Sequence, residues 1–396
     1  MAHIVAVTLG TRGDVVPFVA LGQALREAGH RATIATHGSL RALVEPAGLG
    51  FAALPVEFGA DPRTLTSARF ARALAGRWLD VGRAVATASA DADLLLLGAM
   101  GWLGYHVAQA RGVPSMGAFL QPLEPTRAFP PALLTTRSLG GWGNLTAARA
   151  LRLLGQAPFA RQTAALRREL GLPRLGPAAT FRRMDAERWP VLHGFSPAVV
   201  PAPADWPAYR PMTGYWWPPV GGELSPRLQR FLDDGEPPVF VGFGSLAAPG
   251  LDRVVDEALA RLGRRAVIQG GAAGLATDRR DVLVVGDEPH TALFPRVRAV
   301  VHHAGAGTTA AALRAGVPAV CVPFAADQPF WAGRVAALGA GPPPLPGRGL
   351  TADRLAGAIE SAGGYRAGAA AIARRLATED GTGQALAEIT RRLPVP

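Results

Sequence analysis

Residues 302–309 bring two histidines, two glycines and two threonines together in one short stretch, His-His-Ala-Gly-Ala-Gly-Thr-Thr. Apolar residues precede it at 299–301, and an Ala/Leu-rich run follows it as far as Gly316. This order predicts a strand, a turn and a helix. A helix N-terminus directs unpaired backbone N–H groups and the positive end of the helix dipole at one point. Since glycine lets the main chain approach a bound group, the stretch predicts a cradle for a diphosphate, with His303 as a side-chain donor.

A carboxylate near the other end of the chain, Asp14, follows the predicted strand Ile4–Leu9 and precedes the predicted helix Val15–Ala28. Ligands of α/β proteins bind beyond the carboxyl ends of strands, which is where Asp14 lies. The residues alone favour a plain helix cap over a catalytic role. The two roles also conflict, because a helix N-terminus makes a carboxylate a weaker base whereas a water-poor environment makes it a stronger one.

Composition limits the class of protein. The chain has 396 residues, about right for two domains, and a net charge of +11. Neither zinc-ligand spacing nor a basic motif interleaved with aromatics is present, which argues against nucleic acid as a partner. The single cysteine, Cys321, excludes an internal disulfide and lies in an apolar run typical of a buried thiol. We expect a cytoplasmic protein with peripheral membrane contact at most, since Met1 leads directly into a strand.

Strands and helices alternate along the whole chain, which predicts an α/β fold with parallel sheets. Residues 201–219, rich in proline and aromatics, interrupt this alternation and are typical of a linker. We therefore predict an N-terminal domain over 1–217 and a C-terminal domain over 218–379.

The stretch 302–309, together with Val317-Pro318 and the run 323–331 (Pro-Phe-Ala-Ala-Asp-Gln-Pro-Phe-Trp), resembles the donor-site signature of family 1 glycosyltransferases of the GT-B fold. The bacterial natural-product and sterol-type enzymes are the most similar members. The run 10–15 (Gly-Thr-Arg-Gly-Asp-Val) resembles the opening of their acceptor domain. The resemblance implies two facing Rossmann-like domains with an interdomain cleft, and a C-terminal helix, about 380–396, that packs back on the first domain.

The resemblance also implies roles for individual residues. Asp14 would act as the general base toward the acceptor hydroxyl, with help from Thr11. The residues expected to bind the donor are Ser245, His290, His303, Gly305, Ala306, Gly307, Thr308, Asp327 and Gln328. Among these, Asp327 and Gln328 would hold hydroxyls of the donor sugar, while a helix-capping turn is their alternative role. Thr308 and Thr309 are also expected to cap the helix.

Two departures from the family pattern are visible. Ala304 stands where the family has a first glycine after the histidine pair. Asp287 and Glu288 stand at the expected contact with nucleobase and ribose, where no aromatic is available to stack. A simple surface turn over 287–290 is equally consistent with the residues, so the nucleobase stays open.

Four aromatic residues of the first half are candidates for an apolar acceptor pocket: Trp102, Phe119, Phe129 and Trp142. For any one of them, ordinary core packing is the more common role. The section 127–188 is the most basic of the chain. Its arginines are interpreted as a solvated helical face in preference to a contact with an anionic membrane or an acidic acceptor.

The function predicted from the sequence is an inverting glycosyltransferase that moves a hexose from a UDP- or dTDP-sugar to a hydroxyl of a lipophilic natural product. It would need no metal and no cofactor, since the helix dipole and His303 stabilise the leaving diphosphate, and it would act as a monomer or homodimer. Two alternatives stay open: a nucleotide-sugar epimerase of the same fold and a glycosyltransferase-like accessory protein. Hydride transfer is disfavoured because neither half opens on a strong dinucleotide fingerprint.

Overall fold

The structure is a computed structural model, and it describes residues 1–57, 68–218, 222–244, 250–270 and 279–393. The described residues fall into two compact units. Unit 1 contains 1–57, 68–218 and 380–393, and unit 2 contains the described residues between 222 and 379.

Unit 1 is built on a six-stranded parallel sheet. Its strands are β1 His3–Val7, β2 Arg31–His37, β3 Gly50–Leu54, β4 Leu94–Leu97, β5 Ser115–Phe119 and β6 Val191–His193. The strand order is β3-β2-β1-β4-β5-β6. Since the chain runs outward from β1 in one direction and then restarts at β4 in the other, the loops after β1 and β4 flank the point where the strand order reverses.

The helices of unit 1 cover the two faces of this sheet. They are α1 Arg12–Glu27, α2 Arg41–Val44, α3 Ala68–Ala88, α4 Gly104–Arg111, α5 Gly140–Gln156, α6 Ala160–Glu169, α7 Pro177–Ala186 and, from the end of the chain, Gly381–Thr390. One core lies around the fully buried Trp78 of α3. The other lies beneath α1, which buries Val15, Phe18 and Leu25 on one stripe.

The helix Gly381–Thr390 follows unit 2 in sequence yet packs against α1. Ala385 and Ile389 are buried in the same core as Ile4 and Val15. Gly381 lies so close to the backbone of Tyr215 that a Cβ atom there would be 2.4 Å from the Tyr215 carbonyl oxygen. A side chain at this position would therefore force the helix away from the backbone of Tyr215.

Unit 2 is built on a five-stranded parallel sheet. Its strands are β7 Val239–Gly242, β8 Ala266–Gln269, β9 Val282–Val285, β10 Ala299–His302 and β11 Ala319–Cys321, in the order β11-β10-β7-β8-β9. The order reverses between β7 and β10. The turns that follow these two strands therefore come together at one edge of the sheet, although about sixty residues separate them in sequence.

The helices of unit 2 are α8 Pro226–Asp233, α9 Leu251–Leu262, α10 His290–Leu293, α11 Ala306–Ala315, α12 Gln328–Ala337, α13 Ala352–Ser361 and α14 Arg366–Leu376; Gly381–Thr390 of unit 1 is α15. Thr351 caps α13 by accepting a hydrogen bond from the Arg354 N–H at 3.4 Å, as its sequence position predicts. Cys321 is buried, as expected, and burial raises the pKa of its thiol to about 12.

Several boundaries differ from the sequence-based expectation. Helix α1 begins at Arg12 and not at Val15, so Asp14 lies inside its first turn and Pro17 lies in its second turn. Helix α12 begins at Gln328 and not at Phe330, and β11 ends at Cys321 and not at Phe324. In the part of the chain that the structure describes, no helix is both long and apolar enough to cross a bilayer.

Candidate functional site

Asp14 is held at the carboxyl end of β1 by three side-chain hydrogen bonds. Its Oδ2 accepts from the Thr11 N–H at 2.8 Å and from the Thr11 hydroxyl at 3.1 Å, and its Oδ1 accepts from the Gln121 side-chain amide at 3.1 Å. The bond from the Thr11 N–H is the reciprocal half of a capping box, so Asp14 does cap α1. Gln121 follows β5, and its bond fixes the other carboxylate oxygen.

Burial raises the pKa of Asp14, whereas the hydrogen bonds from Thr11 and Gln121 lower it; burial is the larger effect. The sequence left open whether the helix N-terminus or a water-poor environment sets the basicity of Asp14, and the water-poor environment has the larger effect. Gly10 makes room for the carboxylate, since a Cβ at Gly10 would be 2.3 Å from Asp14 Oδ2. A partly buried carboxylate with a raised pKa and a fixed orientation is suited to accept a proton.

Gln121 was missed as a site residue by sequence reasoning. It lies 107 positions from Asp14, and no local pattern marks it. His37, at the end of β2, was missed as well; its Nε2 lies 2.8 Å from the Gly10 carbonyl oxygen and its Nδ1 lies 2.8 Å from the Ser39 hydroxyl. A polar residue at or just beyond the carboxyl end of a strand in the same parallel sheet is the signal by which both could have been found.

The four aromatic acceptor candidates do not form one cluster. Trp102 packs against Trp78 at 5.3 Å between ring centroids and belongs to a core. Phe119 and Phe129 lie on either side of a pair that sequence reasoning missed, His193 stacked on Trp206 at 4.1 Å. Trp142 is 75% exposed at the start of α5.

His193 is fully buried at the carboxyl end of β6, and neither ring nitrogen has a hydrogen-bond partner within the described ranges. Burial, with a smaller contribution from Arg210, lowers the pKa of His193 to about 3, so the ring is neutral. Phe119, His193, Trp206 and Phe129 thus form an uncharged aromatic cluster, and Phe119 is the last residue of the strand that precedes Gln121.

In unit 2 the predicted strand, turn and helix are present as β10, residues 303–305 and α11. His303 lies over two glycines: a Cβ at Gly305 would be 2.4 Å from its Nε2, and one at Gly244 would be 3.1 Å from its Cε1. Gly244 follows β7, so the two turns meet where the strand order reverses. The Nδ1 atom of His303 is buried and has no hydrogen-bond partner within the described residues.

Burial, reinforced by His290, lowers the pKa of His303 to about 4. The ring is therefore neutral at neutral pH, with one nitrogen that donates and one that accepts. His303 thus offers an anion a hydrogen bond and no full charge. The positive contribution at this turn comes from the N-terminus of α11.

The expected capping role of Thr308 and Thr309 is wrong. Gly305 is the N-cap residue, and α11 begins at Ala306, which places Ala306, Gly307 and Thr308 in its first three positions. Thr309 is buried in the fourth position, with an Oγ1 atom that has no partner in the described part of the chain. Without a capping side chain, the first N–H groups of α11 stay available to a ligand.

Among the described residues of unit 2, the two non-glycine residues with positive φ both lie in the candidate donor turns. Ala304 has φ +61° and Ala326 has φ +56°, the left-handed region that favours glycine. Ala304 is the residue that replaces the family's glycine, so the backbone keeps the glycine-like conformation despite the added Cβ. Strain of about 1 kcal/mol at each residue is the usual cost.

Asp327 is the N-cap residue of α12 and accepts from the Trp331 indole N–H at 2.8 Å. The Oε1 atom of Gln328 accepts from the N–H groups of Phe324 and Ala325 at 2.8 and 3.1 Å. The alternative role, a structural turn, is therefore real for both residues. The turn also holds the two side chains in place, and the NH2 group of Gln328 takes no part in these two bonds.

The two acidic side chains of the turn at 287–290 hold it in place by accepting hydrogen bonds. Asp287 accepts from the Gln269 amide at 3.0 Å, and Glu288 accepts from the Ser225 N–H at 3.0 Å. His290 stacks on Phe294 with 4.3 Å between ring centroids. Ser245, another donor-site candidate, lies outside the described residues.

Within the described ranges, no group of three or more His, Cys, Asp and Glu side chains is arranged to hold a metal ion.

Two family models match this chain. Residues 4–101 match the glycosyltransferase family 28 N-terminal domain, and residues 260–393 match the C-terminal domain of erythromycin biosynthesis protein CIII-like proteins. The first match contains Asp14, and the second contains His303, Asp327 and Gln328.

Curated relatives extend over nearly the whole chain. O-mycaminosyltylonolide 6-deoxyallosyltransferase of Streptomyces fradiae is 36% identical over 385 residues, which cover 91% of this chain and 89% of that protein. Sterol 3-beta-glucosyltransferase UGT80B1 of Arabidopsis thaliana is 32% identical over 427 residues, which cover 99% of this chain and 68% of that protein.

Solved structures agree in fold. The glycotransferase of kitacinnamycin superposes with a TM-score of 0.75 at 22% identity, and VinC in complex with dTDP superposes with a TM-score of 0.68 at 20% identity. Each comparison covers 99% of this chain and 99% of that chain. The predicted α/β class with two Rossmann-like domains is confirmed as the GT-B fold.

The predicted kinship is confirmed as well, and the chain is an enzyme of the hexosyl-transferring class. Its fold is shared with natural-product glycosyltransferases, and its relatives align along both halves of the chain. This chain therefore belongs to the GT-B glycosyltransferases, as a relative of the macrolide sugar transferases and the sterol glucosyltransferases.

Proposed function

We propose that this enzyme transfers a hexose, with inversion and without a metal, from a dTDP- or UDP-sugar to a hydroxyl of a lipophilic natural product. The observation that carries the proposal is the Asp14 carboxylate, fixed by Thr11 and Gln121 at the carboxyl end of β1 and made more basic by burial. The relatives support the substrate class, since one acts on a macrolide and another on a sterol by name.

Asp14 serves as the general base. It accepts the proton of the acceptor hydroxyl while the acceptor oxygen forms a bond to the anomeric carbon of the sugar. The bond between that carbon and the diphosphate oxygen breaks in the same step, and its electron pair leaves with the diphosphate. Attack from the face opposite the leaving group inverts the anomeric centre.

The donor diphosphate is held at the N-terminus of α11. The N–H groups of Ala306, Gly307 and Thr308 belong to the first turn, and Gly305 lets the main chain approach closely. The neutral His303 ring donates one hydrogen bond to the phosphate oxygens, and its Nδ1, which has no partner among the described residues, supports this role. Such preorganised donors stabilise the charge that grows on the leaving group.

The sugar itself is held by the turn before α12. Asp327 accepts from the sugar hydroxyls and the Gln328 NH2 group donates to one. Their bonds to Trp331, Phe324 and Ala325 support this role, because a side chain already fixed loses little freedom when a ligand binds. His290 and the tied turn at 287–290 are assigned to the nucleoside end, and the dTDP bound to VinC supports thymine as the base.

The acceptor is bound by unit 1. Phe119, Trp206 and Phe129, backed by the buried His193, form an uncharged aromatic surface that is suited to a flat lipophilic skeleton. Trp102 belongs to the core behind this region and supports this surface indirectly. Trp142 is assigned to the outer rim, because it is largely exposed.

The test is a mass-shift screen of dTDP- and UDP-sugars against a panel of macrolide aglycones and sterols. The expected result is a product heavier than its acceptor by one hexosyl residue, with the opposite anomeric configuration to the donor by nuclear magnetic resonance. Donor incubated alone is the control for the epimerase alternative. Epimer formation without acceptor, or product with the donor's configuration, would contradict the proposal.

A further inference from the structure

The exposed apolar side chains of unit 1 are concentrated in one segment. Apart from Met1, every large hydrophobic side chain that stands exposed among the described residues lies between 133 and 154: Leu133, Leu134, Leu139, Trp142, Leu153 and Leu154. Single exposed apolar residues are ordinary, but a local group of them marks a surface that contacts something.

Helix α5 arranges part of this group on its outer side. Leu139, Trp142, Arg149 and Leu153 lie within about 80° of one another around the helix axis, at 100° per residue. All four are exposed, while Asn144 and Ala148 on the opposite side are buried. We call these four exposed residues the outer face of α5.

The preceding loop is fixed to this helix. The buried Asn144 side chain accepts from the Leu139 N–H at 2.9 Å and donates to the Arg127 carbonyl and to the Ser138 hydroxyl, both at 3.2 Å. Because three bonds join loop and helix, Leu139 is held beside Trp142 in a defined position. The apolar side chains are therefore presented to solvent by an ordered scaffold.

Positive charge is concentrated in the same part of the chain. Residues 127–188 contain eleven arginines and three carboxylates, which leaves +8 of the chain's net +11. Those three carboxylates already have partners: Glu169 pairs with Arg83, Asp185 pairs with Arg210 and Glu187 pairs with Arg183.

Eight exposed arginines of the section 127–188 form no ion pair with a carboxylate within the described ranges. Arg137, Arg149 and Arg161 are the three of them that lie within or nearest to the outer face of α5 in sequence. Arg149 lies between Trp142 and Leu153 on the outer face itself. The surface thus combines apolar side chains with uncompensated positive charge.

We propose that the outer face of α5, with Arg137 and Arg161, docks this enzyme on an anionic membrane surface. Tryptophan and leucine insert at the boundary between headgroups and acyl chains, and the arginines pair with lipid phosphates. Charge complementarity selects this occupant over a second copy of the chain, because a symmetric pair would bring two positive faces together. Docking at the surface also agrees with the lack of a membrane-crossing helix in the described residues.

The test uses neither donor nor acceptor and leaves Trp142 unchanged, because this residue is also assigned to the rim of the proposed acceptor site. The full chain is sedimented with vesicles of phosphatidylcholine alone and with vesicles of equal parts phosphatidylcholine and phosphatidylglycerol. We expect co-sedimentation with the anionic vesicles only. The protein should be released when the salt concentration is raised to about 1 M, because the Debye screening length then falls to about 3 Å.

Two sets of variants separate the contribution of the apolar side chains to membrane binding from that of the arginines. Leu153→Ser with Leu154→Ser should weaken the partition onto anionic vesicles about tenfold, since apolar area no longer enters the interface. Arg137→Gln, Arg149→Gln and Arg161→Gln together should weaken it about a hundredfold, because each arginine near such a surface contributes about fivefold. The matched control replaces three exposed arginines of unit 2, Arg227, Arg348 and Arg374, with glutamine and should bind like the unaltered chain.

Three outcomes would overturn the proposal. The first is no binding to anionic vesicles, and the second is equal loss of binding in the unit 2 control. The third is self-association, measured by sedimentation velocity without lipid, that disappears in the Leu153→Ser, Leu154→Ser variant; that result would assign the outer face of α5 to a second copy of the chain. Circular dichroism of each variant distinguishes lost docking from lost folding.

Discussion

Replacement of Asp14 by asparagine tests the proposed base with little change of shape. The asparagine Oδ1 can accept both hydrogen bonds that the Thr11 N–H and hydroxyl donate to Asp14 Oδ2 in the native chain, at 2.8 and 3.1 Å. Its new NH2 group then faces Gln121, whose amide can rotate to present its oxygen. The variant therefore keeps the capping box and the local geometry but has no basic oxygen.

The expected loss of rate follows from this geometry. A positioned general base contributes about 10²- to 10⁴-fold to a rate, which corresponds to about 3–5 kcal/mol of activation free energy. Because the donor residues belong to unit 2, we expect Asp14→Asn to lower kcat by that factor and to leave the Kd for dTDP or UDP within about twofold.

Whereas Asp14→Asn should lower kcat, it should not lower the thermal stability of the chain. Burial raises the pKa of Asp14 in the folded state, so the folded chain binds the proton more tightly than the unfolded chain does. The wild-type free energy of unfolding therefore falls as pH rises from the usual aspartate pKa to the raised value. Asparagine carries no charge, so the variant should unfold at the same or a higher temperature at neutral pH, and this difference should vanish in acid.

The assay measures nucleotide diphosphate release with an acceptor identified by the mass-shift screen, together with calorimetric titration of dTDP and UDP and thermal unfolding. A kcat within tenfold of wild type, from a folded variant with unchanged nucleotide affinity, would refute the role of Asp14 as base. A large loss of nucleotide affinity would instead show that Asp14 acts on the donor or on the fold.

Five further predictions concern the other site residues and the proposed independence from a metal. Gln121→Leu removes a hydrogen bond that lowers the pKa of Asp14, so the acidic limb of the pH–kcat profile should move to higher pH; an unmoved limb would separate Gln121 from the base. His303→Ala should raise the Kd for dTDP by about ten- to a hundredfold in calorimetry, the value of a hydrogen bond to a charged group, and an unchanged Kd would leave His303 a packing role. Since the pKa of His303 is lowered to about 4, the affinity of the native chain for an intact dTDP-sugar, whose diphosphate diester does not titrate in this range, should be constant between about pH 6 and pH 8, and a steep fall with rising pH would mean that a charged imidazole binds the phosphates. Ala326→Gly should raise the unfolding temperature, because glycine relieves about 1 kcal/mol of left-handed strain at an exposed site, whereas a lower temperature would show that the turn depends on the alanine side chain. Saturating EDTA should leave kcat unchanged; loss of activity that Mg²⁺ or Mn²⁺ restores would contradict metal-independent transfer.

The alternation of strands and helices was predictable because it depends on local patterns. Apolar runs such as Leu94–Leu97 and Ala299–His302 read directly as buried parallel strands. Glycine at the end of α11 and threonine before α13 marked those helix ends. Helix starts were less predictable: α1 and α12 begin two or three residues early, because first-turn positions accept polar residues and glycine without an apolar signal.

The sequence by itself determined which turns could bind an anion or carry a base, since that chemistry resides in contiguous residues such as 302–309 and 10–14. Only the tertiary structure decided their neighbours. Strand order places the turn after β7 against His303 and the residue after β5 against Asp14. It also decided that burial outweighs hydrogen bonding at Asp14 and that the apolar residues of α5 face solvent. The physical reason is that local sequence sets backbone conformation, whereas dielectric environment and long-range contacts exist only after distant strands have paired.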